Sequence, residues 1–228
     1  MSTRTVMAWS CGKDSAVALW RLQQDPAYQV SGLLTTITSD YNRVSMSGVR
    51  VELLQAQARV LGLPVYPVLI PAGCTMEDYE AAMAAAVEKL IADGVEAVGF
   101  GDLFLQNVRS YREEKLAGSG LRPVFPIWGE DTAQLARRLM ASGFRATLVC
   151  VDPRVLPAEF AGRRYDESLL ADLPAGIDPC GENGEFHTFV QAAPNFSGPI
   201  AVTLGECVLR DGFTFADLLP QVASTARR

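Results

Sequence analysis

The chain holds one histidine, His187, in 228 residues, and it has no Cys-x-x-Cys pair. Its five cysteines, Cys11, Cys74, Cys150, Cys180 and Cys207, are odd in number and widely spread. That pattern argues against both a zinc knuckle and a disulfide framework. Cys150, in an apolar strand-like run, reads as a small buried hydrophobe. No uninterrupted apolar run approaches membrane-spanning length, and the N-terminus shows no basic segment leading into an apolar one. A cytoplasmic protein without a membrane partner is therefore expected. Basic runs are missing too, apart from Arg227-Arg228, and 20 basic against 26 acidic residues leave a formal charge of −6. Nucleic acid thus has no electrostatic footprint in the overall balance. There is no Ser/Gly linker, repeat or low-complexity stretch, so any two parts of the chain should pack rigidly.

What is present is enough apolar residue, 49%, for a substantial core. The first half alternates strand and helix patterns. Strands are predicted over Thr5–Trp9, Val30–Ile37, Val65–Ile70 and Val95–Phe100. Helices are predicted over Val49–Leu61, with Val49, Leu53, Leu54, Ala58 and Leu61 at helical spacing, and over Met76–Ala92. Such alternation implies an α/β fold with a parallel sheet and right-handed crossovers. Ligands of such sheets lie beyond the carboxyl ends of the strands, where Ser10, Thr35, Thr36, Gly101 and Asp102 all fall. The rhythm changes after Leu121. A helix over Thr132–Ser142, a strand over Phe144–Val151, a Pro- and Gly-rich stretch with a short helix near Tyr165–Leu173, and strands at Phe189 and Ile200–Leu209 suggest a smaller α+β part. The division is set at residues 1–121 and 122–228, the second part folded over the crevice of the first.

Trp9-Ser10-Cys11-Gly12-Lys13-Asp14-Ser15 stands between the first strand and a helix carrying Ala16, Val17, Leu19, Trp20 and Leu22. A strand–turn–helix of this kind aims backbone N–H groups and the positive end of a helix dipole at one point. Small residues permit close approach, Lys13 brings charge, and Ser10 and Ser15 bring hydroxyls, so the turn reads as a phosphate site. It lacks the paired glycines of the Walker P-loop. It resembles instead the Ser-Gly-Gly-x-Asp-Ser pyrophosphate loop of the ATP pyrophosphatases, with Cys11 in place of the first glycine.

The resemblance extends along the chain. Asp178-Pro179-Cys180-Gly181-Glu182-Asn183-Gly184-Glu185-Phe186-His187-Thr188-Phe189 is similar to the signature of the diphthine–ammonia ligase family. Gly101-Asp102-Leu103-Phe104, Arg109, Arg112, Glu113, Gly120-Leu121, Pro123 and Pro126-Ile127-Trp128 form a third matching block. Membership would imply a Rossmann-like (HUP-type) nucleotide-binding domain. It would also imply cleavage of ATP between the α- and β-phosphates, transfer of AMP to a substrate oxygen, and formation of an amide.

On that resemblance Ser10, Cys11, Gly12, Lys13, Asp14 and Ser15 would hold ATP, with Lys13 on the β- and γ-phosphates as an exposed loop lysine. Asp14 would be repelled by phosphate directly. It is expected either to bind Mg²⁺ or simply to cap the helix. Thr35 and Thr36 would lie near adenine or ribose, with β propensity as the plainer account of their side chains. Asp102 and Arg112 are assigned to catalysis at the strand end. Arg109 is assigned to substrate, although its spacing to Glu113 also suits a helical ion pair. Arg50 is placed on the substrate side, where it would pair with an anion, a surface role suiting it equally, in a loop where the family pattern has histidine and this chain has Ser47. Glu182, Asn183 and Thr188 would bind the acceptor, and Glu185 and His187 would serve catalysis. A lone His between Phe186 and Phe189 equally suits a structural role.

The activity implied is an ATP- and Mg²⁺-dependent amide ligase. Its partners would be a small-molecule or protein-borne carboxylate and ammonia or an amine, and a homodimer is compatible with this. A tRNA-modifying ATP pyrophosphatase, a cobalamin-salvage amide ligase and a non-catalytic adenine-nucleotide sensor are the alternatives. The first would need paired catalytic cysteines and a basic appended domain, which the sequence lacks. The last would not need the polar block near the C-terminus.

Overall fold

The structure, a computed structural model, describes residues 1–221; Arg227 and Arg228 lie outside the described residues. In chain order the elements are β1 (Thr3–Ala8), α1 (Lys13–Gln24), β2 (Tyr28–Thr38), β3 (Arg43–Val44), α2 (Val51–Leu61), β4 (Val65–Ile70), α3 (Met76–Ala92), β5 (Ala97–Gly99) and α4 (Gln106–Leu116). They continue with β6 (Arg122–Val124), α5 (Thr132–Ala141), β7 (Arg145–Val151), α6 (Glu167–Asp172), β8 (Phe186–Ala192), β9 (Val202–Arg210) and β10 (Phe213–Pro220).

The first sheet runs β4-β2-β1-β5-β6 with every neighbour parallel, and short β3 pairs antiparallel with the far end of β2. This is the Rossmann-like α/β architecture that the alternating pattern predicts. Its inner strands β1 and β5 and the middle of β2 are covered on both faces, which is why they read as apolar runs. On β1, Met7 packs into one core and Val6 into another; on β2, Leu33 and Ile37 take the first side and Leu34 the second. The chain leaves β1 for β2 on one side and later returns to β5 on the other. The gap between the ends of β1 and β5 is thus the topological switch point, where such sheets bind ligands. β6 lies at the edge of this sheet, just beyond the division expected at Leu121.

The second sheet, β8-β7-β10-β9, is antiparallel throughout. One core crosses from the first part into it, joining Met7, Leu19 and Leu53 to Val151, Phe189 and Leu218. The stretch before Phe186 is irregular, as expected, but His187 and Thr188 belong to β8 rather than to a loop. β10 has no counterpart in the sequence reading, because Asp217 interrupts its apolar pattern; that aspartate turns out to be paired across the molecule. Among the described residues no helix is long and apolar enough to cross a membrane.

Candidate active site

The turn after β1 forms because Cys11 adopts φ 66°, a left-handed conformation that ordinarily favours glycine. This accounts for the glycine at that place in the resembled loop. Cys11 is fully buried, and its carbonyl accepts from Val190 N at 2.9 Å and Gln57 Nε2 at 3.1 Å. Gln57 Oε1 in turn accepts from Trp9 Nε1 at 2.9 Å. Burial drives the Cys11 thiol far above its ordinary range, against a smaller pull from Trp9, so it is packing rather than a nucleophile. Gly12 is the N-cap of α1 and no side chain of its own caps the helix. Thr188 Oγ1, from β8, accepts from Lys13 N at 3.0 Å instead. Ser10 Oγ lies 3.0 Å from Ser15 Oγ, which donates to Gly12 O at 3.0 Å. The hydroxyls pre-arrange the turn.

Asp14 sits in the first turn of α1, past the N-cap, so the capping account of it is set aside. Its Oδ2 accepts from Lys13 Nζ at 2.9 Å, while its Oδ1 is buried without a partner. Burial pushes the Asp14 carboxyl up despite the neighbouring ammonium. That is a carboxylate short of positive charge. Lys13 departs from the exposed loop lysine expected. It is 2% exposed, donates also to Cys180 O, and lies 5.5 Å from the Tyr165 ring centroid and 5.3 Å from that of Phe186. Burial is the largest single influence and opposes its charge, but Asp14, Cys180 and Glu182 together outweigh it and hold the ammonium above its usual pKa. Cys180, against Lys13, has its thiol pushed up by burial to about 12.

At the end of β5, Gly101 permits close contact with α1: a Cβ there would lie 2.8 Å from Asp14 C and Ser15 N. Beyond it Arg112 clasps Asp102 in two bonds, Nε to Oδ2 at 2.6 Å and Nη2 to Oδ1 at 3.1 Å, with its guanidinium 4.5 Å from the Phe100 ring centroid. Arg109 makes the helical pair with Glu113 at 2.8 Å and lies 4.7 and 4.8 Å from the rings of Phe125 and Trp128.

In the C-terminal block the two glutamates diverge. Glu182 reaches the first part, its Oε1 accepting from Leu103 N at 2.7 Å and Phe104 N at 3.4 Å. Burial, with Asp14 and Asp102 adding repulsion, pushes its carboxyl up to about 7 although those amides oppose the shift. Glu185 turns inward, its Oε1 accepting from Asp178 N at 3.1 Å and Asn183 Nδ2 at 2.9 Å. Burial, with a smaller contribution from Lys13, lowers His187 to about 4, so the imidazole is neutral at neutral pH.

These walls enclose a cavity of about 870 Å³ at the switch point, within the size range of small-molecule and cofactor sites. Ser10, Gly12, Lys13, Asp14, Thr36 and Arg112 line it from the first part, and Gly181, Glu182, His187 and Thr188 from the second. Cys11, Ser15, Thr35, Gly101, Asp102, Arg109, Asn183 and Glu185 stand behind or outside that lining. Thr35 is buried with an unpartnered hydroxyl. Arg50 is drawn away to Asp217 of β10, at 3.0 and 2.6 Å, and Arg43 joins it at 2.9 Å. Sequence reasoning missed Ser47, Tyr79 and Asp211 as lining residues. One signal was out of reach in the sequence. Among the described residues four non-glycines take positive φ, namely Cys11, Asn42, Met46 and Asp211. Met46 and Asp211 line the cavity, and Cys11 and Asn42 are next in sequence to lining residues. Backbone strain of this kind collects at functional sites.

Comparison with known proteins agrees with both halves of the chain. Residues 3–123 match the diphthamide synthase N-terminal domain and residues 131–216 the corresponding C-terminal domain. A zebrafish (Danio rerio) protein named diphthine–ammonia ligase is 28% identical over 177 residues, 70% of this chain and 68% of that protein. The human (Homo sapiens) protein of that name is 28% identical over 149 residues, 63% of this chain and 55% of its own length. The fission yeast (Schizosaccharomyces pombe) one is 29% identical over 118 residues, 50% of this chain but 20% of its own length.

Proposed function

The chain belongs to the diphthamide synthase family, and we propose that it is an ATP-dependent ligase that converts a carboxylate to an amide with ammonia. The name its relatives carry makes diphthine the acceptor to test first. One observation carries the reading: the Ser10–Ser15 turn and the Glu182–Thr188 segment, far apart in sequence, line a single cavity at the switch point.

A carboxylate oxygen is a poor leaving group and AMP is a far better one, so the acceptor is first activated as an acyl-adenylate with release of pyrophosphate. Ser10, Gly12 and the first turn of α1 hold the phosphates by hydroxyls, backbone N–H groups and the helix dipole. Arg112, on α4 of the same part, adds positive charge to the cavity lining, and Asp102 keeps its fork oriented. Asp14 is the residue to hold Mg²⁺. Its orphaned Oδ1 suits a cation. An ion held by that carboxylate and by phosphate oxygens would neutralise charge on the departing pyrophosphate.

Glu182 is matched to the second half of the reaction. A carboxyl titrating at about 7 can take a proton from the incoming ammonium near neutral pH. His187, uncharged, offers a hydrogen bond without competing for that proton. Glu185 and Asn183 hold the segment in shape.

Incubation with Mg-ATP, ammonium and a diphthine-bearing translation factor tests the reading. AMP, pyrophosphate and amide should appear in equal amounts. ADP with phosphate would overturn α–β cleavage, and AMP without amide would overturn the ligase.

A further inference from the structure

We propose that Ser47 is a binding residue of this cavity, its hydroxyl donating to an anionic oxygen of the bound reactants. That oxygen is a nucleotide phosphate or the acceptor's carboxylate, so the inference rests on the reading above and deepens it.

Ser47 is 4% exposed, lines the cavity, and has an Oγ that is buried with no hydrogen-bond partner among the described residues. A buried hydroxyl left unpaired is costly, and native proteins rarely keep one without a use. The turn carrying it is held from three sides. Ser45 N donates to Thr36 O at 3.0 Å, and the Ser45 and Thr38 hydroxyls lie 3.0 Å apart, tying the turn to β2. Ser47 N donates to Ser45 O at 2.8 Å and Gly48 N to Val44 O at 3.0 Å, closing it on itself. Arg43 Nη1, anchored on Asp217 of β10, donates to Gly48 O at 2.8 Å. Phe215 presses so close that a Cβ on Gly48 would lie 2.7 Å from its ring. To reach this shape Met46 takes φ 66° and leaves its own side chain 73% exposed.

A strained, braced turn that presents an unpaired hydroxyl is organised for a ligand before the ligand arrives. The other groups on the cavity wall choose the ligand's chemistry. Lys13 and the N-terminal turn of α1 favour negative charge, and Ser10 adds a further hydroxyl. A serine donor in that company meets an anionic oxygen, for which a hydroxyl needs no charge of its own.

Calorimetric titrations of the full chain with Mg-ATP and with magnesium pyrophosphate, in wild type and Ser47→Ala, are combined with the KM for a diphthine-bearing translation factor. The variant should lose roughly tenfold in one arm, the scale of one hydrogen bond to a charged group. Loss with pyrophosphate assigns Ser47 to phosphate; loss confined to the KM assigns it to the carboxylate. The melting temperature should not fall, since the removed hydroxyl bonds to none of the described residues. Equal behaviour of variant and wild type in every arm would overturn the proposal, as would weaker binding accompanied by a melting temperature several degrees lower. A wild type that binds neither Mg-ATP nor pyrophosphate would overturn the nucleotide reading, and the Ser47 assignment with it.

Discussion

The Ser10–Ser15 turn and the Asp178–Thr188 segment form adjoining walls of one cavity, and they are built by different rules. In the first, residues adjacent in the chain are adjacent in the site, because a strand end and a helix start leave the backbone little choice. Ser10, Gly12, Lys13 and Asp14 all line the cavity. In the second, alternate polar residues are spent on the segment itself. Asp178 Oδ2 accepts from Cys180 N at 3.1 Å and Glu182 N at 3.0 Å, and Glu185 closes the turn from inside. Gly181, Glu182, His187 and Thr188 are left for the cavity. An irregular segment must satisfy its own backbone before it can offer anything to a ligand. The walls are also not independent, since Thr188 caps α1 and Cys180 accepts from Lys13.

That coupling makes Lys13→Ala the most damaging change expected. Turnover should vanish and stability should fall as well, because the variant strands the half-buried Asp14 carboxylate and empties the space beside the Tyr165 and Phe186 rings. Removing one partner of a buried pair costs about 3–5 kcal/mol; with Asp14 partly exposed, 27%, the low end is expected. Lys13→Met keeps the stem packing, so thermal melts of both variants separate the lost charge from the lost volume. A fully stable, inactive Lys13→Ala protein would mean that the walls are energetically separate.

Two glutamates in the second wall should respond with opposite signs. Glu185→Ala removes the acceptor for Asp178 N and Asn183 Nδ2. It should destabilise by about 1–3 kcal/mol and weaken activity only through loss of shape. Glu182→Gln should lower the rate of amide formation by roughly a hundredfold, the scale of a lost proton-transfer group. It should also make the ligand-free protein more stable at pH 8. The sign follows from the raised pKa. Between the ordinary carboxyl value of 4.5 and about 7 the folded state holds more protons than the unfolded one. Wild-type stability therefore falls as pH rises through that window, and an amide that never ionises escapes the loss. Melting temperatures of wild type and Glu182→Gln at pH 4.5 and pH 8 give the test; a gap independent of pH would refute it.

How far the sequence carried depends on the same distinction between walls. The parallel sheet was legible because its central strands are buried on both faces and its helices keep a clear period. β10 was not, since Asp217 breaks its pattern in order to bind Arg43 and Arg50 across the molecule. Arg50 was read as facing substrate for the same reason: a local pattern does not say where a long side chain ends. The strand-to-helix turn at Ser10–Ser15 could be read from residue types alone. Its Cys11 looked like a departure from pattern, and the structure shows the departure to be in side chain only, with the glycine-like φ retained. In the second wall composition announced a site, but it could not divide the carboxylates between cavity and scaffold. Burial and hydrogen bonding, not spacing, set Glu182 apart from Glu185.

The smallest expected effect concerns His187, and it probes the boundary between the walls through the stability of the ligand-free protein. Burial and the nearby Lys13 ammonium hold the imidazole at about 4, below its ordinary value of 6.5. In the unfolded chain it takes up a proton as pH falls through 6.5, whereas in the folded protein it does so only near 4. Between those values the unfolded state binds more protons, so folded stability declines as pH drops through this window. At pH 5.5 the loss relative to pH 7.5 should be about 1 kcal/mol, since each unit of separation is worth about 1.4. For a chain of this size that is a fall of roughly 2–4 °C in melting temperature. Other groups titrate in the same range, Glu182 among them with the opposite sign, so the difference between wild type and His187→Gln is the quantity to measure. The gap should open in favour of the glutamine variant on going from pH 7.5 to 5.5. Repeating the comparison in a Lys13→Met background should narrow it, because part of the depression comes from the ammonium on the other wall. A gap unchanged by Lys13→Met would assign the whole depression to burial, and the two walls would then be coupled through Thr188 and Cys180 alone.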